Sequence, residues 1–195
     1  MGHCDKKISA CIKADCAKPN FAGIESKAWL FNKEDVVVSF SQTDANVVTD
    51  ITTIGTAVGY TVTQFGKQPY NGTNTTMVEG NAGNKFTNTF NFIVPDNSHT
   101  ASNKIIDNLA NGKFVAVVQN SFEGSDGDSA YQVYGGKKGL TASAIDNDKY
   151  SEDTDGGWSI SLVEENTPIS GAFLVPTLAV GSTMAEYMAN IAPDC

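Results

Sequence analysis

The residues best equipped for chemistry are few, and most of them crowd one end of the chain. His3, Cys4, Cys11 and Cys16 form H-C-x6-C-x4-C, and Cys195 is the last residue. Four soft ligands can hold zinc, but a zinc knuckle wants two cysteines two to four residues apart, and no such pair occurs here. Free thiols are the default reading of this cluster; a staple through Cys195 and a metal site stand beside it. Carboxylates are the second resource. Asp146, Asp148, Asp153 and Asp155 in "DNDKYSEDTDGG" (146–157), with Asp126 and Asp128 in "EGSDGDS" (123–129), invite calcium. Neither stretch has the spacing of an EF-hand or of a glycine-rich calcium repeat, so solvated turns are the default. A glycosidase needs only two carboxylates, and Asp153, Asp155, Glu164 and Glu165 are available, yet nothing singles out a pair. His99 stands alone, and Trp29 and Trp158 are too few for a sugar platform.

Other catalytic signatures are missing. The chain has no G-x-S-x-G elbow, H-E-x-x-H helix, phosphate-binding G-x4-G-K-[ST] loop or dinucleotide fingerprint. All 13 basic residues are lysine, against 22 carboxylates, for a net charge of −9. Arginine is the usual bidentate clamp for phosphate and guanine. An arginine-free acidic chain is therefore unsuited to gripping nucleic acid, although nucleic acid can pass a like-charged surface without sticking. A non-enzymatic protein without cofactor is expected.

The elements that must position these residues are mostly strands. At 195 residues, 41% apolar and 18% charged, the chain has the composition of one soluble domain with extensions. Its N-terminus lacks a signal-peptide core, and "GAFLVPTLAVG" (171–181) is too short to span a bilayer. A protein kept in a cytoplasm is expected, with the sequons at Asn71 and Asn74 read as loop composition. Residues 1–20 read as an N-terminal arm, 21–176 as a mainly-β domain, and 177–195 as a C-terminal helical extension. Strands are predicted at 28–31, 36–40, 47–54, 57–65 and 86–94, the third and fourth as a meander around Gly55. More follow in "FVAVVQN", "SAYQVYGG", "GWSISLVEEN" and "GAFLVP". Residues 66–85, rich in Gly, Asn and Thr, form a long loop or a hairpin arm. One short helix begins at Asp96 or Ser98, carries Ile105, Ile106 and Leu109 on one face, and stops at Gly112. A second begins in the capping box Thr183-x-x-Glu186 and carries Met184, Tyr187, Met188 and Ile191 as a stripe for its own domain or for a neighbour.

This order of elements, with "GIESKAWLFNKEDV" (23–36), "IDNLANGK" (106–113) leading into an apolar strand, "AYQVYGGKKGL" (130–140) and "EENTP" (164–168), resembles the tail-tube family of tailed bacteriophages. It resembles especially the versions from phages of gut bacteria, such as the crAss-like group. The resemblance covers most of residues 23–175. It implies an antiparallel β-sandwich or barrel with one short flanking helix and a C-terminal helix. It also implies copies joined edge to edge into a ring, of six or twelve, through which DNA passes along an acidic wall. The ring would be part of the virion, assembled in the host bacterial cytoplasm, and would meet other tail, connector or portal proteins and no membrane. The 66–85 arm would bridge copies, which places Tyr70, Asn71, Asn74 and Met77 at the contact, with Met184, Tyr187, Met188 and Ile191 of the last helix. The alternative is a β-sandwich recognition, adhesion or head-decoration module that reads glycans or a capsid surface through 66–85 and 146–157. A secreted hydrolase with oxidised cysteines is a third possibility.

Overall fold

The fold grows from a strand with no polar face. Phe114 to Val118 are buried without interruption, which a strand achieves only when both its faces are covered. In the computed structural model, which describes residues 23–63, 72–80, 83–124 and 127–193, this strand lies inside the larger of two sheets. The chain is mostly β, with two sheets and a few short helices. It runs β1 (Ile24–Asn32), a 3-10 turn (Lys33–Asp35), β2 (Val36–Phe40), β3 (Val47–Thr53), β4 (Tyr60–Thr63), β5 (Gly72–Val78) and β6 (Lys85–Val94). Then come α1 (His99–Ala101), a π-helical turn (Ser102–Ile106), α2 (Asp107–Asn111), β7 (Phe114–Asn120), β8 (Tyr131–Tyr134), β9 (Thr141–Asn147), β10 (Trp158–Thr167), β11 (Ala172–Leu174) and α3 (Met184–Ile191).

The seven-stranded sheet has the order β2-β3-β11-β8-β7-β1-β4, and the four-stranded sheet the order β5-β6-β10-β9. Neither order returns to its start, so no closed barrel forms among the described residues. All strand pairs are antiparallel except β11 with β3, which are parallel; the larger sheet is mixed where a wholly antiparallel one was expected. Val47–Thr53 and Tyr60–Thr63 do not form a meander around Gly55. β3 pairs with β2 and β11, while β4 pairs with β1 near the other end of the sheet.

Two cores flank the larger sheet. On one face Ala28, Leu30, Ala116 and Val118 pack with Phe90, Phe92, Ile160 and Leu162 of the smaller sheet and with Ile106 and Leu109 of the helical run. On the other, Trp29, Phe31, Val115 and Val117 pack with Val48 and Ile51 of β3 and Met188 of α3. Alternation along β1 and β7 sends successive side chains to opposite cores. Burying each such Val, Leu or Phe is worth about 1.5–3 kcal/mol, which makes the two-sided strands the stiffest part of the molecule.

Residues 72–78, expected within a loop or hairpin arm, are a strand. β5 pairs residue for residue with β6 from Gly72↔Asn91 to Val78↔Lys85. β9, in "TASAIDN", pairs with β10 and was not expected as a strand. The first helix starts at Ser98, whose Oγ accepts the Ala101 N–H at 3.1 Å, with Asp96 Oδ1 in turn accepting the Ser98 N–H at 2.7 Å. It stops at Gly112, whose backbone is extended. A Cβ at Gly112 would overlap the Phe114 ring, so close packing requires the glycine, not a left-handed turn.

The last helix opens with both halves of its capping box. Thr183 Oγ1 accepts from Glu186 N–H at 3.2 Å, and Glu186 Oε2 accepts from Thr183 N–H at 2.8 Å. Its stripe of Met184, Tyr187, Met188 and Ile191, left open by spacing and placed at a contact between copies by the tail-tube resemblance, packs on the chain's own core, and Met188 is left 1% exposed. Tyr187 ties helix to sheet. Its hydroxyl accepts the Ile51 N–H at 2.8 Å and shares its proton between Asp50 Oδ1 at 2.8 Å and the Ile51 carbonyl at 3.1 Å. Burial raises its pKa well above the ordinary phenol value, with the Ile51 backbone bond working against that and Asp50 adding to it.

Tyr187→Phe leaves the packing and removes these bonds, so it is expected to lower unfolding free energy by about 1–3 kcal/mol in urea titrations at pH 7. The raised phenol stabilises the fold fully below its unfolded pKa of about 10, and that contribution is lost as pH rises through the folded value. Wild-type stability therefore falls in the alkaline range. The variant loses part of that slope, while Tyr131 and Tyr134, also raised by burial, retain the rest. An unchanged alkaline slope in Tyr187→Phe would exclude this role.

Candidate functional site: a sheet edge, an apolar groove and an acidic loop

The smaller sheet turns one face to the core and one outward. On β6 the buried side chains Asn88, Phe90, Phe92 and Val94 alternate with Thr87, Thr89, Asn91 and Ile93; on β10 the buried Ile160 and Leu162 alternate with Ser159, Ser161 and Val163. Cross-strand register puts Thr76 beside Thr87 and Asn74 beside Thr89, and Ala144 beside Ser161. The outward face thus carries mainly hydroxyl and amide groups, with Val78, Ile93, Ala144 and Val163 among them. Among the described residues its charges stand only at strand ends, at Lys85, Glu165 and Asp146. Asp148, Glu152, Asp153 and Asp155 sit instead in the connection from β9 to β10.

Among the described residues the edges of this sheet are β5 and β9. Natural edge strands are usually blunted by charge, proline or a bulge. β5 has none of these: it reads GTNTTMV, holds one continuous register and exposes Asn74 through Val78. Asn74 and Met77, two of the expected contact residues, lie on it; Tyr70 and Asn71 lie outside the described residues.

One end of the smaller sheet is fastened by buried polar groups. Glu164, only 3% exposed, accepts the Lys138 N–H through Oε1 at 2.6 Å and the Asn88 side-chain amide through Oε2 at 3.4 Å. Asn88 Oδ1 in turn accepts from Thr75 Oγ1 at 2.9 Å. Lys138 belongs to the "GGKKG" turn, in which Gly135 has φ 78° and a Cβ would overlap the Phe114 carbonyl oxygen. Only glycine fits there. Lys33 donates to the Gly136 carbonyl at 2.8 Å; burial lowers its pKa, Glu164 opposes that and Lys137 adds to it. Glu164, weighed as a catalytic carboxylate, therefore holds a turn, while Glu165 is exposed.

An open groove of about 970 Å3 lies between the β4 side of the larger sheet, the end of β6 and the helical run. Leu30, Val62, Phe92, Leu109 and Phe114 line it. The π turn shapes one lip. Ala101 and Ile106, five residues apart, are both buried, and Ile105 is turned outward at 42% exposure. A uniform α-helix would have put Ile105 over Ala101 on the buried face, as the sequence suggested. Tyr60, 53% exposed, also lines the groove. Lys104 and Lys113 stand on its helical side, and Glu34 and Asp35 on the 3-10 turn.

The β9–β10 connection is internally braced. Asp148 accepts the Tyr150 N–H through Oδ1 at 2.9 Å and the Ser151 N–H through its carbonyl at 3.1 Å. Asn147 Nδ2 donates to Asn97 Oδ1 and the Gly157 carbonyl, each at 3.0 Å. Asp155 has φ 49°. Asp146 lies on β9 and does not join Asp148, Asp153 and Asp155 as ligands: among the described residues no three His, Cys, Asp or Glu side chains come together as a metal site. His3, Cys4, Cys11, Cys16, Cys195 and Asp126 lie outside the described residues. No helix among those described is long and apolar enough to cross a membrane.

Set against known proteins, the chain matches no family model, no curated protein and no solved structure.

Replacing Glu164 with Ala is expected to cost about 1–3 kcal/mol through the stranded Lys138 N–H and Asn88 amide. It should also make the Lys138 amide exchange with deuterium faster than in the wild type. Unaltered exchange at Lys138 would show that the turn is held by something else.

Proposed function

We propose that the chain is a structural subunit of a tailed-bacteriophage virion, a tail or portal-proximal ring through which DNA passes. Reading its two sheets as a tail-tube-like sandwich is part of that proposal. The observation that carries it is the four-stranded sheet with a regular, uncharged edge at β5, a second edge at β9, and an outward face of Thr, Ser and Asn. A flat edge without protective charge is a template for another strand. When β5 of one copy adds to β9 of the next, the contact is head-to-tail and generates a ring if the rotation closes. The outward faces then form a wall with little charge and no arginine, along which a phosphate backbone finds no bidentate clamp. The sequence resemblance to tail-tube proteins supports the same reading. Six or twelve copies are expected, meeting tail, connector or portal proteins at the two rims.

The test is assembly of the purified chain, by light scattering and negative-stain imaging, against a variant with Asn74→Lys and Thr76→Lys. Both substitutions sit on exposed positions of β5, so the circular dichroism spectrum should be retained while rings or tubes revert to single subunits. Rings unaffected by both lysines would exclude β5 as the joining edge. A wild-type protein that shows only a calcium-dependent monomer or trimer would favour the recognition module instead.

A further inference from the structure

The most exposed aromatic side chain among the described residues stands on a hydrogen-bonded loop. Tyr150 is 96% exposed, yet it stands on a connection braced by Asp148, Asn147 and Asn97. Bracing of the loop backbone lowers the ordering cost that binding normally incurs. Tyrosine is also among the side chains that dominate contact energies when seated in a pocket.

We propose that Tyr150 is the knob of a contact between two copies of this chain, and that the groove between Tyr60 and Ile105 is its socket. Shape and charge both favour this pairing. The socket is an open groove of about 970 Å3 with Leu30, Phe92 and Phe114 among its lining. Its rim is bipolar, with Lys104 and Lys113 on the helical side and Glu34 and Asp35 on the 3-10 turn. The knob's loop carries the same two signs in one short stretch, Lys149 beside Tyr150 and carboxylates at Asp148, Glu152 and Asp153. The acidic side of the loop meets the lysines, and Lys149 meets Glu34 and Asp35.

Tyr150 does not line the groove of its own chain, so the contact we propose is made with the groove of a second copy. The two features lie at one end of the molecule: Pro95 lines the groove, and the loop's Gly157 packs against Val94 and Pro95. A knob and socket so placed satisfy each other reciprocally about a two-fold axis. β5 and β9 take no part, so this contact stands apart from the edge-to-edge ring and does not rest on it.

The test replaces Tyr150 with a benzophenone-bearing amino acid in the full chain, irradiates it, and maps the linked peptide by mass spectrometry. The expected product has twice the chain mass, with position 150 joined to residues 60–63 or 104–114. Ile105→Asp, at an exposed lip position, should abolish that product with an unchanged circular dichroism spectrum. Tyr150→Ala should weaken the dimer at least tenfold by sedimentation, and Tyr150→Phe should largely retain it. A protein that stays single, a link to any other surface, or a link indifferent to Ile105→Asp would overturn the proposal. Rings whose position 150 links elsewhere would overturn this contact and leave the edge-to-edge reading intact. A groove-linked dimer that never forms rings would support this contact alone.

Discussion

Val115 and Val117 point into one core while Phe114, Ala116 and Val118 point into the other, and a strand of that kind cannot exist at a surface. It must have a layer above and a layer below. The smaller sheet and the helical run supply one; the far strands β2 and β3, with α3, supply the other. Because β3 and β7 share a core while lying three places apart in one sheet, the larger sheet must bend around that core. This bend removes the need for β1 and β2, adjacent in sequence, to pair with each other. The 3-10 turn between them carries the chain across the fold, with the Lys33 N–H donating to the Lys113 carbonyl at 2.8 Å. The doubly covered strand thus dictates where the helices go, and the helices in turn set the outline of the groove.

How much of this could be read beforehand follows from which elements need a hydrophobic pattern. β6, β7 and β10 face a core, and their residues alternate or run continuously apolar, so each is legible in the chain. β5 and β9 are edges that bury little: GTNTTMV and TASAIDN have neither run nor clean alternation. Their strand character comes from pairing with β6 and β10, which no local pattern reports. The misplaced meander has the same cause. Gly55 does mark a turn, at φ 65°, but a turn signal does not specify which sheet neighbour the following strand finds.

The last helix and the first illustrate opposite limits of periodicity. In α3 the i, i+3, i+4, i+7 stripe is real, and both halves of the capping box form; what spacing leaves open is the partner. The partner is the chain's own sheet, because the Tyr187 hydroxyl finds the Ile51 and Asp50 groups there. In the first helix the stripe itself is altered. Ile105 and Ile106 compete for one face, and a π turn settles the competition for Ile106 by widening the spacing from Ala101 to five residues. Such insertions are frequent at functional sites, and here the displaced side chain becomes a lip of the groove.

Charge is arranged by the same division between covered and open surfaces. The single deeply buried carboxylate among the described residues, Glu164, accepts two donors and fastens a glycine turn. A buried carboxylate without such donors would cost several kcal/mol. The remaining acid is pushed to connections, most densely between β9 and β10, and the smaller sheet's outward face is left to hydroxyls and amides. The resemblance to tail-tube proteins implied an acidic wall along the path of DNA. The fold instead leaves a sheet face with few charges and gathers acid in a loop that carries one exposed aromatic ring. Those two surfaces differ in chemistry, and the two contacts proposed above use one each. That is the physical reason to assign the sheet edge and the loop to separate interactions.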